Sequence, residues 1–155
     1  MSKWIGKKIA KRFAPMFKHM YATMGALSKA FYERYGKEAL PIISEVMGKS
    51  GVGSGKMAQE MVSVKGMKDV GELFKMMETM MDMKMEIMEL SDDVIRFKLS
   101  QCPMGIEGTS KELCEAVMSS DKKMVSTLLG QEVEIKMLKS VAAGDEYCEV
   151  MFTKK

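Results

Sequence analysis

The chain has 155 residues, of which 46% are hydrophobic and 29% charged, the balance of an ordinary globular domain rather than of a disordered or fibrous chain, so one domain over 1–155 is expected. No apolar run approaches the roughly 20 residues of a membrane-spanning helix, and the opening Met1–Ser2–Lys3–Trp4–Ile5 lacks the apolar stretch of a secretion signal, which together predict a cytoplasmic protein. The net charge of +3 hides a gradient: residues 1–40 hold nine Lys or Arg against two Glu, leaving the remainder acidic.

That gradient starts at the N-terminus. Lys3, Lys7, Lys8, Lys11, Arg12 and Lys18 occur without an acid between them, while Trp4, Ile5, Ile9 and Phe13 fall near helical spacing. Residues 1–24 therefore read as a basic amphipathic helical extension, and residues 25–155 as the body. Such a helix either docks its apolar stripe on the body or touches a membrane surface or nucleic acid through residues 1–18. Pro15 opens or kinks a second helix, in which Met16, Met20, Met24, Leu27 and Phe31 recur at spacings of three and four. Gly36 ends it, and Glu38 to Met47 form another around Pro41.

Ser50–Gly51–Val52–Gly53–Ser54–Gly55–Lys56 imitates a phosphate-binding loop. It lacks a first glycine, has Met57 where a hydroxyl residue should follow the lysine, and has no strand before it, so no nucleotide is expected and 49–56 reads as a mobile connector. A helix follows from about Asp69 to Met81. The period then changes to alternation: Met83, Met85 and Ile87, a Ser91–Asp92–Asp93 turn, then Ile95, Phe97 and Leu99, a hairpin with one buried face. Thr109-x-x-Glu112 has the capping-box pattern ahead of Leu113, Cys114, Val117 and Met118, and Ser119 or Ser120 can cap a further helix that Gly130 stops. Val133, Ile135 and Met137, then Cys148, Val150 and Phe152, close the chain as a second hairpin. The expected fold is α+β: N-terminal helices packed on an antiparallel sheet built from two β-hairpins separated by two short helices.

Three cysteines in a chain without a secretion signal argue for free thiols or thiolate ligands. Cys102, Cys114 and Cys148 with Asp145 or Asp121 as a fourth ligand could hold zinc or iron, although no C-x-x-C exists and the geometry would rest wholly on the fold. Cys114 lies on an apolar helical face and Cys148 is in phase with Val150 and Phe152, which suits core residues. Cys102, followed by Pro103 at a strand end, is the cysteine best placed to face a pocket, and with Asp145 forms the candidate catalytic pair. Gly144–Asp145 is equally a hairpin turn, with glycine supplying positive φ and Asp capping it. Twenty methionines, crowded around 76–88, point to a plastic core or a pocket that moulds to an apolar ligand, more than to a copper site.

Phe31–Tyr32–Glu33–Arg34–Tyr35–Gly36–Lys37–Glu38–Ala39, Cys102–Pro103, Leu113–Cys114, Asp121 and Ser140-x-x-x-Gly144–Asp145-x-x-Cys148 together resemble the L-2-amino-thiazoline-4-carboxylic acid hydrolase-like family, itself similar to vinyl-reductase-type small-molecule-binding domains. The resemblance covers about residues 25–153. It implies a pocket between sheet and helices for a small apolar or heterocyclic ligand, with Cys102, Cys114, Met85, Phe97 and Cys148 as candidate ligand-binding residues. Ring hydrolysis would need a thiolate or a metal-activated water. The single histidine, His19, lies outside that stretch, so a Cys/His pair would need the N-terminal helix to fold back. The expected function is a sensor or carrier with a methionine-rich pocket, as a monomer or a homodimer, with a small-heterocycle hydrolase and a peripheral adaptor as the alternatives.

Overall fold

The computed structural model describes residues 3–155, with side chains from Arg12 onward. In chain order the elements are α1 (Lys3–Tyr35), α2 (Ala39–Met61), α3 (Met67–Met81), β1 (Met85–Leu90), β2 (Val94–Leu99), α4 (Lys111–Val117), α5 (Ser119–Leu129), β3 (Val133–Lys139) and β4 (Cys148–Lys154). The class is α+β, as the alternation of patterns required.

Both hairpins form where apolar and polar residues alternate, and they join through β2 and β4 into one antiparallel sheet of order β1–β2–β4–β3. The alternation decides which face is wet. Ile95, Phe97, Val150 and Phe152 are buried beneath the helices, and Phe74 of α3 meets the rings of Phe97 and Phe152 at 5.5 and 5.7 Å. Each such side chain contributes about 1.5–3 kcal/mol on burial. The other face is polar: Arg96 Nε donates to the buried Glu149 at 2.6 Å, and the Tyr147 ring lies between the ammonium groups of Lys98 and Lys139.

The helices depart from expectation in three places. α1 runs through Pro15 unbroken, and since Pro15 is exposed, water can take up the carbonyl that the missing N–H leaves free. The boundary placed at residue 24 therefore falls inside a helix, with Ala14 buried and Tyr21 half-buried on its near side. Its inward side carries Ala14, Tyr21, Gly25 and Ser28 with Met24, Phe31 and Tyr32 half-buried against the core, while Met16, Met20 and Leu27 point to solvent. The basic run over residues 1–18 lies largely outside the described side chains.

The second departure is the connector expected over 49–56, which is helical, the middle of α2. Each glycine there costs a free-standing helix about 1 kcal/mol, but Gly51 and Gly55 are buried and allow α5 to approach backbone to backbone. A Cβ on Gly51 would stand 2.0 Å from the Ser120 carbonyl oxygen, and one on Gly55 2.7 Å from Thr127 Cβ. Ile43 and Met47 are buried on the same side, so burial and close contact offset poor propensity. The third departure concerns caps. Ser110, not Thr109, caps α4 by accepting from Leu113 N at 3.1 Å, and Ser120 donates to the Val117 carbonyl instead of capping α5. Gly130 closes α5 with φ of 66°, as expected.

Candidate functional site

The inner face of the sheet does not meet the helices everywhere. Between it and α1, α3 and α4, the chain leaves a cavity of about 100 Å³. Phe97, Leu99, Met85 and Val150 form its sheet wall; Phe74, Met77 and Met81 come from α3, Cys114, Val117 and Met118 from α4 and the residue that follows it, and Tyr21 from α1. The loop carrying Cys102, Pro103, Met104 and Ile106 makes the remaining side. Gly25 of α1 is what lets that loop close in, because a Cβ there would stand 1.7 Å from the Met104 carbonyl oxygen. Seven methionines line the space, supplying unbranched walls that can yield.

Five of the residues singled out from the sequence, Met85, Phe97, Cys102, Cys114 and Cys148, are thus brought around one cavity. Asp145 is not among them. It is exposed in the β3–β4 turn, where its carboxylate accepts from Ser140 N at 2.7 Å and its own N–H donates to the Ser140 carbonyl, next to Gly144 at φ of 97°. That is the work of a turn residue, and it leaves Asp145 outside the lining to which Cys102 belongs. Among the described residues no three of His, Cys, Asp and Glu converge as metal ligands, so Cys102, Cys114, Cys148 and Asp145 do not form a donor set.

The thiols are mainly protonated near neutral pH where the structure fixes their state. Burial pushes Cys114 up to about 11, outweighing the side chain of Ser140, which eases the thiolate. Burial likewise raises Cys148, against a weak bond from Val141 N to its Sγ at 3.4 Å. Neutral thiols are poor nucleophiles and poor ligands. Cys102 is half-buried.

The cavity has a polar end. Asp121, in the first turn of α5, lines it beside Ser120, whose Oγ lies 3.2 Å from Asp121 Oδ2. Burial raises the Asp121 carboxyl from 3.8 to about 6, with the Ser120 hydroxyl and a backbone N–H pulling the other way. Across from it, burial and then the Asp121 charge raise the Tyr21 phenol to about 12. No Lys, Arg or His lines the cavity among the described residues, and His19 is exposed on α1. The sequence offers Asp121 only as an alternative fourth metal ligand, and Tyr21 not at all. Tyr21 stands off the methionine spacing of α1, and an acid after two serines reads as an ordinary helix-start residue; the Ala14–Tyr21–Gly25–Ser28 series of small and aromatic residues was the available signal.

Comparison with known proteins places this geometry. Among curated proteins, none matches the chain. Solved structures share its fold, two of them as follows. The phenol-responsive sensory domain of the transcription activator PoxR, with phenol, superposes with a TM-score of 0.64 at 17% identity over 86% of this chain and 74% of that one. A trafficking protein particle complex subunit 3 from Naegleria fowleri, covalently bound to palmitic acid, gives 0.64 at 14% identity over 90% and 95%. In sequence, residues 16–152 match the family described as L-2-amino-thiazoline-4-carboxylic acid hydrolase, a span that begins ahead of the stretch recognised by motif and takes in His19. The chain belongs to that family.

Proposed function

We propose that the protein binds one small, uncharged, ring-sized molecule that offers a hydrogen-bond donor, and that it works as a sensing or carrying domain. The observation that carries this reading is an apolar cavity of about 100 Å³ with a single polar end at Asp121, Ser120 and Tyr21. Apolar cavities near 150 Å³ take up benzene, so methionine walls need yield only a little to admit one ring. A long acyl chain would need several times that space. The phenol held by the PoxR sensory domain is of the fitting size, and a phenol hydroxyl could donate to Asp121.

The family's name offers the competing reading, hydrolysis of a thiazoline amino acid. Its carboxylate would enter a cavity that no basic side chain lines among the described residues and meet Asp121, and an unpaired buried carboxylate is costly. Two of the three thiols there, Cys114 and Cys148, are also held protonated by burial, and Asp145 does not line the cavity beside Cys102. These features favour a binder.

Titration calorimetry with phenol and with benzoate tests the proposal, because the two share a ring and differ in charge. Phenol should bind with a heat that saturates, at least tenfold tighter than benzoate at about pH 8, where Asp121 is ionised. Equal affinity, or a preference for benzoate, would show that the polar end does not select the ligand.

A further inference from the structure

The outer side of α1 carries a pattern that the packing of the protein leaves unused. Phe13, Met16, Met20, Thr23, Leu27 and Ala30 recur at alternating spacings of three and four, the period by which one helix seats on another. All six are exposed, on the side away from Ala14, Tyr21, Gly25 and Ser28. The four large ones are far from marginal: Phe13 is 47% exposed, Met16 49%, Met20 51% and Leu27 67%. The series rises about 26 Å along the helix, too long and too regular for scattered surface residues.

We infer that this stripe pairs antiparallel with the same stripe of a second copy of the chain, the two α1 helices crossing near Tyr21 and Ala22. A two-fold interface has to be complementary to itself. In this register Phe13 lies against Ala30, Met16 against Leu27 and Met20 against Thr23, so that larger side chains meet smaller or comparable ones in every layer. The flanking charges agree. Arg12 falls opposite Glu33 at both ends, and Glu33 is otherwise engaged only by Lys29 at 3.9 Å on the surface. Parallel pairing would set Phe13 on Phe13 and Arg12 on Arg12. A membrane-bound helix would gain nothing from the large-to-small order or from Glu33. Tyr21 lines the cavity from the inner side of the crossing point, yet the pairing does not depend on what the cavity holds.

Sedimentation velocity of the full chain over a concentration series tests the inference. The expected result is a monomer–dimer equilibrium whose dissociation constant rises at least tenfold in the Met20→Glu, Leu27→Glu double variant, with the circular-dichroism melt unchanged at dilutions where the wild type is monomeric, because both side chains are exposed in the single chain. Arg12→Glu should weaken the dimer, and combining it with Glu33→Arg should restore it, a rescue that no general loss of folding can imitate. A wild-type chain that stays monomeric throughout would overturn the inference. So would a dimer indifferent to the double variant, or a charge swap that fails to rescue. A monomer that co-sediments with mixed phosphatidylserine and phosphatidylcholine vesicles through the stripe would assign the face to a membrane instead.

Discussion

Asp121 is the only acid lining the cavity among the described residues, and its position has a consequence for stability. Its folded pKa, about 6, lies above the ordinary 3.8, so the folded state favours the protonated form. The stabilisation is complete below the ordinary value, shrinks as pH rises through about 6, and is gone above it, a swing of at most roughly 3 kcal/mol. Asp121→Asn keeps the neutral shape. It should therefore be more stable than the wild type at about pH 8, and close to it at about pH 4, in parallel urea titrations. A constant difference at both pH values would mean that the carboxyl is not buried as described. Thiol chemistry separates at the same scale. Cys102, half-buried, should label with a maleimide in the native protein well before Cys114 and Cys148, whose thiols are buried and held protonated by that burial. Mass mapping of the labelled peptides reads the order, and equal rates at all three would contradict it.

Among the elements, α2 shows most sharply how packing overrides propensity. Gly53 faces open space, so Gly53→Ala should stabilise by about 0.5–1 kcal/mol, as an exposed helical glycine ordinarily does. Gly51→Ala, two positions earlier in the same helix, should destabilise by more than about 2 kcal/mol, since its methyl would drive α2 from the Ser120 carbonyl. Thermal melts of the pair give opposite signs if the helices are packed as described. The contrast explains what could be read in advance. Ile95–Phe97–Leu99 and Cys148–Val150–Phe152 announce their strands because alternation is local and one face is buried by construction. Gly51 and Gly55 announce a loop, because their use depends on the approach of α5, about seventy residues away in sequence, which no local pattern contains. α1 divides for a related reason: of its hydrophobic series Met16, Met20 and Leu27 face out, while Met24 and Phe31 pack against the core beside Tyr21, Tyr32 and the small Ala14, Gly25 and Ser28.

On the scale of the molecule, the sheet and its covering helices form a shell around a space that the core leaves open, and the family match spans nearly the whole shell. The cysteines, Met85 and Phe97 could be placed near a pocket from the resemblance and the strand phase together. Asp121 could be set beside the cysteines only as an alternative metal ligand, and Tyr21 not at all, since the two come from helices whose meeting is fixed by tertiary packing. No helix among the described residues is long and apolar enough to cross a membrane. If the cavity is the functional space, filling it should remove binding without removing the fold. Val117→Phe places extra carbon where the wall is open. It should melt within a few degrees of the wild type, where the same change in a close-packed core costs about 1–3 kcal/mol, while abolishing the calorimetric heat with phenol.

The most direct test follows the methionine methyl groups. In protein labelled with carbon-13 at the methionine methyls, phenol added in steps should move the resonances of Met77, Met81, Met85, Met104, Met118 and Met137, which line the cavity, and leave those of the exposed Met57 and Met61 in place. The account predicts saturating shifts confined to the cavity set. Shifts confined to the exposed methionines, or none at concentrations that saturate the calorimetric signal, would contradict it.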